Sequence, residues 1–412
     1  MSAILPTEED STADGGGNES DFGDFLTDVS DVEDLEEITE PWSDYNTEET
    51  NRPFYPVFIG EVIQARYQIE HKIGFGGFST VWMAHDLQDK KDVAVQFLRS
   101  GEGSEREIRK HDQIRHLVQD QSHLVTYINT FEIVAPQGHR HRILVLPLKG
   151  PCMTFKAMQG MPVASRMFAA KQLLMALEAL HKADIVHRDL NDGNCMWGMA
   201  PTHDLSREAK YEALGRPRKT PIRFVNLPKR GDLVYEMKVP ESHRTEDFYL
   251  GDFGHATVLG ESEMQPGDPP WEFCSPDRLH GMHPTFACDM WSYMTLFAML
   301  YVGHRFFPTW CTGGIISGYL MYFGPLPEDW KGRYLPRGGA RDDWYDQSEK
   351  SSVTDGLDAR LAYSRPEVDT EERELVKTIM LKVFHYRPQE RPTATQLLQD
   401  ADFNALMARY GV

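Results

Sequence analysis

The chain has 412 residues, 41% of them apolar, and is therefore long enough to bury the core of one large domain or of two ordinary ones. The sequence contains no apolar run long enough to span a bilayer, and its five scattered cysteines suggest no disulfide framework. We therefore expect an intracellular protein, in the cytoplasm or the nucleus, that binds no membrane.

The formal net charge of −20 is unevenly distributed. Residues 1–50 contain seventeen Asp or Glu and no Lys or Arg, so the other 362 residues carry only −3. Nothing therefore favours nucleic-acid binding. With so few apolar residues, residues 1–50 are predicted to be an acidic disordered tail. The apolar residues it does contain recur at helical spacing, which would also allow it to fold against a partner: Phe22, Phe25, Leu26, Val29, Val32, Leu35 and Ile38.

The first predicted strand and turn form a glycine-rich loop. Residues 67–73 alternate as a strand does, and Gly-Phe-Gly-Gly-Phe-Ser-Thr-Val follows at residues 74–81. Glycine lets backbone amides approach phosphate oxygens, because a Cβ atom would hold them apart. Residues 93–96 form the next predicted strand, in which Ala94 and Gln96 share a face.

A helix is predicted from Ser104 to about Val118. It carries Glu107, which is either a cleft residue or an ordinary surface acid. Residues 142–148 are predicted to form a buried strand that contains Leu146. The stretch from Pro162 to Lys182 is amphipathic and predicts a second helix, with its leucines in the core.

His-Arg-Asp-Leu-Asn-Asp-Gly-Asn at residues 187–194 has the composition of a catalytic loop. Phosphoryl transfer to a hydroxyl needs a carboxylate that accepts the proton and oxygen ligands for a hard metal ion. Asp189 and Asn194 have the types and spacing for these two roles, and Asp252, in Leu-Gly-Asp-Phe-Gly, offers a second metal ligand. Together with the glycine-rich loop, these motifs predict a phosphotransferase.

Two further features lie after the catalytic loop. Residues from about 200 to 246 are predicted to form a surface insert without regular structure, either regulatory or a simple spacer. Asp277 is expected to pair with Arg391 in the interior, and Asp289 to cap the catalytic-loop backbone. Arg188 is expected to hold an activation-loop phosphate or one of the acids Glu261, Glu263 and Asp268.

Together these residues resemble the eukaryotic protein kinase family over about residues 55–412. Within that family, the run Phe-Tyr-Pro-Val-Phe-Ile-Gly-Glu at residues 54–61 and the large insert are similar to the kinases of serine/arginine-rich splicing proteins. The resemblance implies an α+β, protein-kinase-like bilobal fold, with a small β-rich lobe at residues 55–147 and a larger helical lobe at 148–412. It also implies ATP and Mg²⁺ as cofactors and a protein substrate, with a basic or Ser/Arg-rich protein as a candidate. The acidic tail is a candidate site for a further partner.

The residues that the resemblance assigns to the site fall into three groups. Asp189 would act as the base, with Asn191 beside it, and Asn194 and Asp252 would bind magnesium. The nucleotide would lie against eight residues: Ile73, Gly74, Gly76, Val81, Ala94, Gln96, Glu107 and Leu146.

Two lysines of the family pattern are missing. Gln96 stands where a strand Lys would bind the phosphates and pair with Glu107, and Asn191 stands where serine/threonine kinases carry a Lys that contacts the γ-phosphate. Lys72 is the first-ranked replacement cation, ahead of Lys90 and Lys91. The expected function is serine/threonine protein kinase, and the alternative is a pseudokinase that acts as a nucleotide-binding or scaffold module.

Overall fold

The computed structural model describes residues 22–48, 50–101, 103–222, 227, 229–260, 269–307, 314–334, 341–349 and 353–412. These residues form a small lobe built on a six-stranded sheet and a larger, mainly helical lobe. The predicted α+β bilobal fold is confirmed. No helix among the described residues is long and apolar enough to cross a membrane.

The N-terminal segment, defined here as the described residues from 22 to 52, is folded. It contains strand β1 (Asp24–Phe25) and helix α1 (Val29–Ile38). The helix begins at Asp28, whose carboxylate accepts a 2.8 Å hydrogen bond from the Ser30 amide and so caps the helix. Leu35 is fully buried and packs with Tyr45 and other apolar residues.

The prediction of disorder over residues 1–50 is therefore wrong for the part from residue 22 onward, and residues 1–21 lie outside the described residues. The helical spacing of the apolar residues was the informative signal. Helix α1 packs on a surface of the same chain, which includes Ile222 and Leu233 of the insert.

The small-lobe sheet is antiparallel and has the strand order β2-β3-β4-β5-β7-β6. Its strands and the one helix beside them are β2 (Val62–Ile63), β3 (Tyr67–Phe75), β4 (Ser79–Asp86), β5 (Lys91–Leu98), α2 (Gly103–Leu117), β6 (Asn129–Val134) and β7 (Arg140–Pro147).

Cross-strand register divides this sheet into two faces, because directly paired residues point to the same side. Gly74 pairs with Val81 and Val81 with Gln96, so these residues define the cleft face. Lys72 pairs with Trp82 on the outer face. The outer face is covered by its own apolar cluster, which includes Val57 before β2 and Val234 from the insert.

The rest of the chain forms the large lobe and the insert. In chain order the elements are α3 (Phe155–Met158), α4 (Val163–Lys182), β8 (Ile185–Val186), β9 (Cys195–Met199), α5 (Arg207–Leu214), β10 (Arg218–Pro221), β11 (Asp232–Val234), β12 (Arg244–Leu250), β13 (Thr257–Val258), α6 (Pro276–Leu279), α7 (Phe286–Val302), α8 (Ile315–Phe323), α9 (Val353–Ser364), α10 (Thr370–Val383), α11 (Ala394–Leu398) and α12 (Ala401–Arg409). Helix α7 is almost entirely buried and packs against α4 at the centre of this lobe.

The insert is structured, and the prediction that it lacks regular structure is wrong for its described residues. It contributes α5, β10 and β11, and β1 of the N-terminal segment joins its two strands in a three-stranded sheet. The insert is also fastened to the small lobe, because the buried Lys210 ammonium bonds to Glu70 at 2.8 Å and to Asp92 at 2.6 Å. Its lysines and arginines, which gave no periodic pattern, partly serve as ion-pair partners.

Candidate active site

The catalytic loop is held from below by Asp289, near the start of α7. Its two carboxylate oxygens accept hydrogen bonds from the backbone amides of His187, at 2.7 Å, and Arg188, at 2.9 Å. This is the cap expected from the sequence. Arg188 adopts a left-handed backbone with φ of 72°, which a non-glycine residue keeps only when its surroundings fix it. Asp289 therefore sets the turn that presents Asp189.

Asp189 is oriented by the two amides that follow it. Asn191 donates to Asp189 Oδ1 at 3.1 Å, and Asn194 donates to Oδ2 at 3.0 Å. Burial raises the pKa of Asp189; the charge of Asp252 also raises it, while His187 and the Asn194 hydrogen bond lower it. A carboxylate with a raised pKa is a better proton acceptor than an ordinary surface aspartate.

Asp252 lies within electrostatic reach of Asp189 and is exposed, whereas the next residue is buried. The Phe253 ring packs between His111 of α2, at 5.4 Å between centroids, and His187, at 5.5 Å. Burial lowers the pKa of His111 to about 4, so this ring is neutral near pH 7 and packs as an aromatic side chain would. These ring contacts hold Phe253 in the protein interior and leave the Asp252 side chain exposed.

The donor set around Asp189 suits a hard divalent cation. The side-chain nitrogen of Asn194 is committed to Asp189, which leaves its amide oxygen as a ligand, and Asp252 supplies an exposed carboxylate. Amide and carboxylate oxygens are ligands that Mg²⁺ accepts. A cation between Asp189 and Asp252 would also offset the repulsion that raises the pKa of Asp189. The residues present therefore fit the metal that the sequence predicts.

The predicted nucleotide-site residues of the sheet largely share the cleft face. Ala94 pairs with Leu146, and Gly74, Val81 and Gln96 follow in register along the same side. Two further predicted residues lie in β3 and the turn after it: Ile73 is at an irregular step between Lys72 and Gly74, and Gly76 is in the loop itself.

Gln96 does not take over the role of the missing lysine. Its side-chain nitrogen donates to the Ser79 hydroxyl at 3.1 Å, so it ties β5 to the first residue of β4. Ser79 stands at the third position of the glycine pattern. This residue pair therefore helps to hold the strand that returns from the glycine-rich loop.

Glu107 occupies the position on α2 that the sequence predicts and lies near Asp252 and Gly254, so it is a cleft residue rather than an ordinary surface acid. It makes no ion pair with any residue in the described part of the chain, and burial, followed by the charge of Asp252, raises its pKa to about 8. Glu107 is therefore largely protonated at neutral pH.

The ranking of Lys72 as the replacement cation is wrong. Lys72 lies on the outer face of the sheet, is fully buried and forms an ion pair with Glu40 of the N-terminal segment. Lys90 and Lys91 are exposed in the turn at the other end of β4 and β5, away from the glycine-rich loop. Strand alternation could not have shown this, because it places Lys72 and Gly74, two residues apart, on the same face. Only the register shift between them puts the two residues on opposite faces.

The pair expected to close the activation segment is present. Asp277 and Arg391 are both buried, with 2.6 Å between Oδ1 and Nη2. The Arg188 guanidinium donates to the His255 carbonyl at 3.3 Å, while its predicted partners at positions 261, 263 and 268 lie outside the described residues. Sequence patterns did not indicate two residues near the glycine-rich loop: Arg99, which contacts Gly77, and Glu40, which pairs with Lys72 just before the loop.

The two lobes, the glycine-rich loop and the catalytic loop have the arrangement of a protein-kinase-like fold. Residues 67–206 match the family model of the protein kinase domain. The chain is 27% identical over 368 residues to a serine/threonine protein kinase of Aspergillus fumigatus, which covers 84% of this chain and 86% of that protein.

SRSF protein kinase 3 of Homo sapiens is 32% identical over 182 residues, or 40% of this chain and 31% of that protein. A solved kinase domain superposes with a TM-score of 0.58 at 17% identity, covering 85% of this chain and 98% of that structure, and so supports the fold alone. The expected resemblance to protein kinases, and to the kinases of serine/arginine-rich proteins, is confirmed at modest identity. These findings support a protein serine/threonine kinase.

Proposed function

We propose that this protein transfers the γ-phosphoryl group of ATP, with Mg²⁺, to a serine or threonine hydroxyl of a protein. The observation that supports this most is the arrangement of Asp189, with one carboxylate oxygen bonded to Asn191, the other to Asn194, and Asp252 close by. It combines a proton acceptor with two oxygen ligands in one cleft.

Asp189 would orient the substrate hydroxyl and accept its proton. The two amide hydrogen bonds fix the direction of its oxygens, and its raised pKa strengthens it as a base. Asn194 and Asp252 would hold magnesium, which when bound neutralises charge on the phosphates. Asn191 stands where a lysine would contact the γ-phosphate, and its side chain acts on Asp189 instead.

The substrate that we propose is a protein rich in basic or Ser/Arg residues. This rests on the similarity to relatives named SRSF protein kinase 3. An intracellular site of action, in the cytoplasm or the nucleus, is part of the same proposal, because the reaction consumes ATP. Part of the acidic tail packs on the chain itself through Leu35 and Tyr45, so a partner of the described part would bind its exposed residues, such as Val29 and Ile38.

The test is incorporation of label from γ-labelled ATP into a Ser/Arg-rich peptide and an acidic control peptide. We expect label in the basic peptide with the wild-type protein and a loss of about 10²-fold or more in Asp189→Asn, which keeps the shape of the side chain but removes the base. Asp204→Asn is the matched control, because the Asp204 carboxylate is almost fully exposed and is paired with His203 rather than with a residue of the site. Equal labelling by the wild type and Asp189→Asn would show that the assigned base is wrong.

A pseudokinase that binds nucleotide or acts as a scaffold is the second candidate. It is favoured by Gln96, which bonds to Ser79, and by Lys72, which is buried on the outer face. Thermal melting with ATP separates the two candidates in part. Stabilisation by ATP only in the presence of Mg²⁺ supports the kinase, whereas no shift with any nucleotide favours the scaffold.

A further inference from the structure

The tip of the glycine-rich loop is held by Arg99, which follows β5. The Arg99 guanidinium donates to the Gly77 carbonyl at 3.1 Å, and the Arg99 backbone amide donates to the Phe78 carbonyl at 2.8 Å. Both acceptors are loop carbonyls. Hydrogen bonds to these carbonyls restrict the peptide planes whose amides would face the phosphates.

Arg99 is itself held from the side of the N-terminal segment. Its Nε donates to the Arg52 carbonyl at 2.6 Å, its Nη1 donates to Asp44 Oδ2 at 3.3 Å, and its guanidinium lies 4.4 Å from the centre of the Phe54 ring. The guanidinium is also only slightly exposed. Because a planar guanidinium gains precision from several simultaneous partners, Asp44 and the residues around it fix the direction in which Arg99 reaches Gly77.

The base of the loop is tied to the same segment. Buried Lys72, two residues before Gly74, pairs with Glu40, and the Tyr45 hydroxyl donates to the other Glu40 oxygen at 2.6 Å. Asp44 lies between Glu40 and Tyr45 in the chain. The N-terminal segment therefore contacts the loop region at two points, its base through Lys72 and its tip through Arg99.

Open space surrounds Gly76 and Gly77 in the loop. A Cβ atom added to Gly76 or Gly77 would meet nothing within 4 Å. Loop backbone that lacks such packing moves readily unless hydrogen bonds hold it. The contacts from Arg99 are therefore well placed to decide how the loop sits over the cleft.

We propose that Asp44, acting through Arg99, is a positioning residue for the nucleotide, so that the N-terminal segment is a working part of the nucleotide site. This rests on the proposed function, since it assumes that the cleft binds ATP.

The experiment compares Asp44→Ala with Asp31→Ala in the full chain. Asp31 belongs to the same segment and loses an ion pair to Arg218 that is about half exposed, far from the loop in sequence. We expect Asp44→Ala to raise the KM for ATP by about three- to tenfold, with kcat and the KM for the peptide within about twofold of the wild type. Asp31→Ala should match the wild type, and Asp44→Glu should recover most of the loss.

Hydrogen exchange of residues 74–80 without nucleotide provides a readout that does not depend on activity. Asp44→Ala should exchange faster there than the wild type and Asp31→Ala, while the rest of the small lobe is unchanged. If the wild type neither binds nor uses ATP, the proposed function fails, and faster loop exchange would still support the positioning role. Unchanged exchange and unchanged KM in Asp44→Ala would overturn it.

Discussion

The catalytic loop and the small-lobe sheet differ in where their charged side chains lie. In the catalytic loop, Asp189, Asn191 and Asn194 form a connected set, with Asp289 holding the backbone underneath. In the sheet, the cleft face offers Gln96, which is neutral, while Lys72 is buried on the outer face. The comparison teaches that the residues proposed as base and metal ligands can form a connected set while β5 carries a glutamine and the neighbouring Lys72 forms a buried ion pair that stabilises the fold.

The largest expected effect tests the outer face. In Lys72→Met the buried Glu40 would lose its ion-pair partner, and removing one member of a buried pair costs about 3–5 kcal/mol. We expect chemical denaturation to show a loss of this order in the free energy of unfolding. The KM for ATP of the protein that remains folded should rise less than in Asp44→Ala, because the contact between Arg99 and Gly77 does not involve Lys72.

The control for that variant is Lys72→Met combined with Glu40→Gln. Removing both charges avoids the unpaired carboxylate, so the double variant should recover a large part of the lost stability. A stable Lys72→Met protein whose KM for ATP rises more than that of Asp44→Ala would contradict the assignment of Lys72 to the fold.

A smaller effect on stability is expected from Glu107 of α2. Its pKa is raised from 4.5 to about 8, so the folded protein binds more protons than the unfolded chain between these pH values. This group therefore lowers stability as the pH rises from about 4.5 to about 8. Glu107→Gln carries no such charge, and we expect its melting temperature to exceed that of the wild type by about 2 °C or more at pH 8.

The same measurement at pH 5 supplies the control for Glu107. Both proteins are then close to neutral at this position, so their melting temperatures should nearly agree. A difference that is equal at pH 5 and pH 8 would mean that Glu107 does not titrate as described.

The smallest expected effect is a gain from restoring a cation. Gln96→Lys places an ammonium on the cleft face, where it could meet the phosphates and Glu107. We expect the KM for ATP to fall by about three- to tenfold in steady-state kinetics. Gln96→Met is the matched control, because it also removes the bond to Ser79 but adds no charge. A KM that stays the same or rises in Gln96→Lys would show that the site has adapted to the missing lysine.

Sequence patterns predicted the parts of this molecule that depend on local rules. The amphipathic helix expected from Pro162 to Lys182 is observed at Val163–Lys182, and the cap from Asp289 and the Asp277–Arg391 pair are where the motifs place them. These features follow from periodicity and from short, distinctive spacings. The catalytic loop was predictable for the same reason.

Long-range contacts were not predictable in this way. The acidic composition of the N-terminal segment predicts disorder, yet Glu40 is buried because Lys72, 32 residues later, neutralises it. The lysines and arginines of the insert likewise find partners such as Glu70, 140 residues away from Lys210. Composition measures the charge of a segment by itself, whereas folding depends on the charges that other segments bring to it.

The most direct test of the proposed metal-binding cleft is a calorimetric titration of ATP, with and without Mg²⁺, into the wild-type protein and Asp252→Asn. We predict that the wild type binds ATP with Mg²⁺, and that binding weakens by at least about tenfold when either the metal or the Asp252 carboxylate is removed. Equal binding in all four titrations, or no binding by the wild type, would contradict a site built from Asp189, Asn194 and Asp252.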